Sequence, residues 1–281
     1  MSQADIEKRG DDAVRDLSRK FDGWDRADYR LSDAEIKECV ARLTEREYND
    51  ILFAQAQVRR FADAQRQSLL DVEIESIPGV ILGHRHIPVN AAGCYVPGGK
   101  YPLIASAHMS VLTAKVAGVS RVITCAPPFQ GTFARAIVAA QAMAGADAIY
   151  ALGGIQAIGA LAYGTQSIRP VAKIFGPGNK FVIEAKRQVF GLVAVDQLPG
   201  PSEVMVLADD TGHPAWIAAD LVAQAEHGHG SQAVLVTPSR ELADAVAREV
   251  AVQLKSLSRQ ESLAHALKTG GFIVLAADMA Q

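Results

Sequence analysis

Arg121-Val122-Ile123-Thr124-Cys125 and Ala148-Ile149-Tyr150-Ala151-Leu152 are two short apolar runs, and the alanine-rich stretch between them ends at Gly145. Short apolar runs bounded by turn signals read as buried strands, and the alanine-rich stretch reads as a helix. The same alternation extends outward in both directions. Upstream, Cys94–Val96 precedes a helix running to Gly118. Downstream come Ile155–Tyr163 as helix, Ala172–Phe175 as strand, Asn179–Phe190 as helix and Val193–Val195 as strand. Val204–Ala208, a helix to His227, Ala233–Val236, a helix near Glu241–Leu254 and Phe272–Ala276 continue the series. Strands alternating with helices predict an α/β protein whose parallel sheets are covered on both faces.

The amino-terminal region has a different character. Ile6, Val14, Leu17 and Phe21 recur at helical spacing, and Asp22-Gly23 ends that run. Ser32 with Glu35, and Thr44 with Glu47, have capping-box spacing, in which hydroxyl and carboxylate satisfy free N–H groups at a helix start. Val72–Leu82, turning at Pro78-Gly79, reads as a hairpin. The expected organisation is a helical lobe over 1–70, a first α/β unit over 71–200 and a second over 201–281. Pro199-Gly200-Pro201 is the boundary signal.

Bulk properties narrow the function. The 281 residues are 49% hydrophobic and 21% charged, with a net charge of −3. Neither a basic run nor a basic amphipathic helix points to nucleic acid or membrane. The segment from Met1 to Arg19 is dense in charge, and apolar runs are broken by Gly, Pro or charge, so neither a leader nor a membrane span is expected. Cys39, Cys94 and Cys125 lack metal spacing and sit in apolar settings, which fits reduced thiols and a cytoplasmic location.

Four loops at strand ends are rich in glycine, proline and polar residues: 95–99, 153–156, 175–179 and 198–203. Ligands of open parallel sheets bind in such places. No Gly-x-Gly-x-x-Gly occurs, and residues 93–100 miss a phosphate loop because Lys100 is shifted and Tyr101 replaces the metal-binding hydroxyl. Glycine loops and helix starts still allow a pyrophosphate. Gln224 and His227, three apart on a helix, can face one metal; they can equally be a polar helix end. His229 is a possible further ligand, His84 and His86 share one side of a strand, and His108 follows the first glycine loop as a candidate substrate contact.

Val195-Asp196-Gln197-Leu198-Pro199-Gly200-Pro201-Ser202-Glu203-Val204, followed by Gln224-Ala225-Glu226-His227, resembles the histidinol dehydrogenase family. Tyr95-Val96-Pro97-Gly98-Gly99, Gly153-Gly154-Ile155-Gln156 and Gly176-Pro177-Gly178-Asn179 through Gln188 are similar to further blocks of that family, in the family order. The resemblance runs from about Ala4 to the last residue. It implies two Rossmann-like α/β/α units, aldehyde-dehydrogenase-like, and a zinc-binding homodimer. Such a dimer oxidises histidinol to histidine through the aldehyde with two NAD in turn, a step of histidine biosynthesis. By motif, Tyr95, Gln156 and Asn179 would contact NAD, and Ser202, Gln224 and His227 the substrate. Gln224 and His227 would also bind Zn2+.

The pattern also departs from the family. A Glu-His pair supplying acid and base follows the strand matched by Phe272–Ala276, and an Asp and a His complete the zinc site. None of these falls within the 281 residues. The expectation is a family dehydrogenase shortened at both ends, with no catalytic residue of its own, weak zinc binding and little or no turnover from the chain alone; an alternative is a catalytically incomplete fragment that only binds nucleotide. Residues 102–109 differ from the usual histidinol dehydrogenase stretch, and Pro199 stands where Ala is usual. Both changes are similar to paralogs such as sulfopropanediol dehydrogenase, for which Lys100 would meet the sulfonate.

Overall fold

The computed structural model describes residues 3–98, 103–199, 202–227, 230–257 and 260–281. The chain divides into two compact units, Met1–Leu198 and Pro199–Gln281.

In the first unit, α1 (Gln3–Arg9) and α2 (Asp11–Asp22) replace the single expected helical run. Gly10, at φ 57°, breaks it, because an L side chain is strained at that angle. Trp24 follows and donates its indole N–H to the Ala151 carbonyl at 3.0 Å. α3 (Asp33–Ala41) and α4 (Glu45–Gln67) begin at Ser32 and Thr44, and both capping boxes form as expected. β1 (Val72–Ile77) and β2 (Val80–His84) make the expected antiparallel hairpin, exposed on both faces.

β3 (Ala91–Tyr95) opens the main sheet. The next helix consists of α5 (Ile104–Ala107), a π turn (His108–Leu112) and α6 (Thr113–Val116). β4 (Arg121–Ala126) follows, then a small hairpin of β5 (Pro128–Phe129) and β6 (Thr132–Phe133). After these come α7 (Arg135–Met143), β7 (Ala148–Ala151), α8 (Gly154–Tyr163), β8 (Lys173–Phe175), α9 (Lys180–Val189) and β9 (Ala194–Val195). The five strands lie in the order β7-β4-β3-β8-β9, and every pair is parallel.

That order explains the layering. The chain moves from β3 through β4 to β7, then returns to the other side of β3 for β8 and β9. Right-handed crossovers therefore place the two helix sets on opposite faces. Ile123, Cys125 and Ile174 face a core with Ile6, Leu17, Ile158, Leu161 and Val182. Ala92, Cys94 and Val122 face the other core, with Ala62, Val111, Leu112 and Val116. Successive strand residues thus serve opposite cores, as pleating requires. The three cysteines are buried and free, and burial pushes the Cys39 and Cys94 thiols up to about 11 and about 12.

The second unit contains β10 (Glu203–Leu207), α10 (Pro214–Ala225), β11 (Gln232–Thr237), α11 (Arg240–Leu254), α12 (Gln260–Gly270) and β12 (Gly271–Leu275). Its sheet has the order β10-β11-β12, all parallel. The strands advance in one direction only, so the crossover helices collect on one face. Ala233 and Leu235 pack there against Ile217, Leu221, Leu242, Val246 and Leu267. The opposite face aligns Met205 with Val234 and Phe272, and Leu207 with Val236 and Val274. Met205 and Leu207 are each 63% exposed. The parallel sheets are as expected, but coverage of both faces holds in the first unit alone. Trp216, near the start of α10, is 73% exposed and stacks on His213.

Candidate functional site

In the first unit the strand order reverses between β3 and β8, and crevices for ligands form at such switch points, beyond the carboxyl ends of the strands. Tyr95 ends β3, and Gly176 directly follows β8. Gly176 has φ 114°, and a Cβ there would come within 2.0 Å of the Tyr95 carbonyl oxygen. Only glycine lets the two loops approach this closely.

Tyr95 is buried, and its hydroxyl accepts the Gly154 N–H at 3.3 Å. Burial pushes the phenol up to about 12, against the pull of the Gly154 bond. It therefore stays protonated at neutral pH and keeps a hydrogen to donate. The loops after β3, β7 and β8 thus meet at Tyr95. Gln156 lies wholly inside, donating its Nε2 to the Asp22 carboxylate at 2.7 Å, while its buried Oε1 has no hydrogen-bond partner. Burial raises the Asp22 pKa, opposed by that bond.

The two helix starts beside this crevice differ. Asn179 caps α9, its Oδ1 accepting the Phe181 and Val182 N–H groups at 3.0 and 3.1 Å. α8 begins at Gly153 with no side-chain cap, which leaves first-turn N–H groups available to an anion.

Two charged side chains hold the Gly176 turn. Asp196 Oδ2 accepts the Gly176 N–H at 2.8 Å. Lys186 Nζ donates to the Gly176 carbonyl at 3.0 Å and to Asp196 Oδ1. The Lys186 side chain is 1% exposed and that of Asp196 25%. Nothing in the sequence marks either residue for this role, because the pairing appears only once α9 and β9 are placed. In the sequence, Asp22 marks only the end of a helix.

His108 lies in the π turn, buried, with Gln55 Nε2 donating to its Nδ1 at 3.2 Å. Burial lowers its pKa. The ring is thereby engaged with α4. The rings of His84 and His86 stand edge to face, 5.1 Å apart, on an exposed segment.

In the second unit, Ser202 and Gln224 are neighbours: Gln224 Nε2 donates to the Ser202 carbonyl at 2.8 Å. This bond commits the amide nitrogen and leaves Oε1 as the potential donor to a metal. His227 is exposed just past the end of α10, its backbone N–H bonded to the Gln224 carbonyl at 3.3 Å. Among the described residues no group of three His, Cys, Asp or Glu side chains is arranged for a metal. Gln224 and His227 are two donors where catalytic zinc takes three from protein, so this donor set fits zinc only in part. Lys100, His229, Gly99, Gly200 and Pro201 lie outside the described residues. No helix among the described residues is long and apolar enough to cross a membrane.

A model of the histidinol dehydrogenase family matches residues 3–281. Histidinol dehydrogenase homolog 1 of Mesorhizobium japonicum is 56% identical over 96% of this chain and 54% of its own length. Sulfopropanediol 3-dehydrogenase of Ruegeria pomeroyi is 46% identical over 98% of this chain and 64% of its own length. The crystal structure of histidinol dehydrogenase from Elizabethkingia anophelis superposes with a TM-score of 0.93 at 34% identity, covering 99% of this chain and 64% of that one. The chain thus spans between half and two thirds of the length of these relatives.

Proposed function

This chain belongs to the histidinol dehydrogenase family, and on that premise we propose that it carries the NAD-binding crevice and part of the substrate and zinc site of an alcohol dehydrogenase. The observation that carries this reading is the meeting of three glycine loops at Tyr95, at the switch point of a doubly wound sheet. NAD, when bound, accepts a hydride from the alcohol carbon.

The residues of this chain supply the setting. The uncapped start of α8 offers N–H groups to a pyrophosphate. The Tyr95 hydroxyl, already accepting from Gly154, donates its own hydrogen toward the cofactor. Gln156 is buried, so it acts by holding the α8 start against Asp22. Asn179 has spent Oδ1 on its cap and would meet the cofactor through Nδ2. Ser202, Gln224 and His227 would orient the alcohol, the last two at the zinc. The described residues complete no zinc site. By the family resemblance, the base that takes the hydroxyl proton would be a Glu-His pair placed after the strand matched by Phe272–Ala276. On this reading the chain binds NAD, and the family assembly is a cytoplasmic homodimer.

Histidinol, oxidised through its aldehyde to histidine, is the first substrate of this reading. Sulfopropanediol is the second, favoured by Pro199, which stands where Ala is usual in the family. Calorimetry of the 281-residue chain with NAD tests the crevice: saturable binding that Tyr95→Ala weakens is expected, and no binding would remove the nucleotide reading. Adding the two alcohols to a version lengthened to match the relatives, and following NADH, decides the substrate. A clear preference for histidinol would remove the second reading.

A further inference from the structure

We propose that Lys186 and Asp196 are positioning residues that lock the Gly176 turn in the shape nucleotide binding requires; this rests on the NAD reading above. Gly176 leaves the β8 ladder at φ 114°, so its N–H and C=O turn away from strand pairing. Buried backbone groups must find other partners. Both are taken by the same ion pair: the carboxylate of Asp196 holds the N–H, and the ammonium of Lys186 holds the C=O. The pair closes on itself through Lys186 Nζ and Asp196 Oδ1. Asp196 is further fixed by the Gln197 N–H at 2.7 Å.

The clamp is not the cheapest way to fill this space. Burying an ammonium costs desolvation, and a well-packed apolar side chain in place of a buried ion pair is often no less stable. What an apolar residue cannot do is hold a carbonyl. Lys186 sits on α9, whose start is capped by Asn179, so the 176–179 turn is tied at both ends to one helix. Asp196 ties the same turn to the end of β9, six residues before Ser202 in sequence. A turn fixed this way presents Asn179 and the Gly176–Tyr95 contact in one arrangement. Small displacements of such a loop are costly to ligand binding and catalysis.

The test uses the 281-residue chain with Lys186→Met, Asp196→Asn and both together. Val138→Ala, a core change in α7, serves as a destabilised control. NAD dissociation constants are measured by calorimetry well below each variant's melting point, with hydrogen exchange of residues 175–179 followed without nucleotide. Each single variant is expected to bind NAD on the order of tenfold more weakly, about 1.4 kcal/mol, with no further loss in the double variant. Exchange at 175–179 rises in all three, while Val138→Ala melts lower and binds NAD as wild type does. Asp196→Asn, which keeps the size and one oxygen, carries the test if Lys186→Met does not fold. Unchanged NAD affinity in the variants, or a loss matched by the control, overturns the proposal. If wild type binds no NAD, the nucleotide reading fails by itself. Exchange then decides the clamp: unchanged protection in the variants overturns it, and lost protection supports it.

Discussion

The two units are built from the same parts and differ in direction of winding. The first advances along its sheet, reverses and advances the other way, which covers both faces and opens a crevice beside β3. The second advances one way only; its helices share one face, and Met205, Leu207, Phe272 and Val274 remain exposed on the other. A single reversal of strand order therefore supplies both the second hydrophobic layer and the ligand position. In the second unit the residues matched to substrate and metal gather instead near the amino ends of β10 and β11, tied by the Gln224–Ser202 bond.

The sharpest way to break this contrast is a charge on each sheet. Ile174→Lys places an ammonium in the closed core and should cost more than about 4 kcal/mol, read as loss of soluble folded chain. Met205→Lys, on the open face, should change stability by less than about 0.5 kcal/mol in thermal denaturation. Equal effects would mean that the two faces are not different in kind. Gly176→Ala comes next, at about 3 kcal/mol, from the left-handed φ and the approach to Tyr95. Asn179→Ala should cost about 1 kcal/mol by uncapping α9, measurable in urea, whereas α8 has no side-chain cap to lose.

The smallest effect is one of pH. Burial lowers the His108 pKa in the folded state, so the unfolded chain takes up a proton first as pH falls through its ordinary value of about 6.5. Stability is full above that value and declines below it, by less than about 1 kcal/mol between pH 7 and pH 6. His108→Gln should flatten the decline in the first unit.

What could be read beforehand was local. Ser32 and Glu35 announce a helix start because both partners lie within one turn, and Val122 and Ile149 announce strands by their neighbours alone. The glycine loops were visible as composition, and the family order of their motifs named Tyr95, Gln156 and Asn179. The break at Gly10, the π turn and α12 were not anticipated: a lone glycine, an inserted residue and a mixed polar stretch leave little periodic trace. The burial of Gln156 against Asp22, 134 positions apart, depends on α2 packing beside α8 and has no local cause. The pairing of Lys186 with Asp196 likewise required the sheet order, since nothing in ten residues of spacing indicates that both will grip one glycine.

The two tryptophans divide between the units, and their surroundings make them unequal reporters. Trp24 is half-buried with its indole N–H engaged, so its emission should move to longer wavelength when the first unit opens. Trp216 already faces water, and its fluorescence has little colour left to change. All three thiols also belong to the first unit. Intrinsic emission and thiol-labelling kinetics will therefore follow the doubly wound half almost alone, and the melting of the other half will pass nearly unseen unless a dye or circular dichroism is watching.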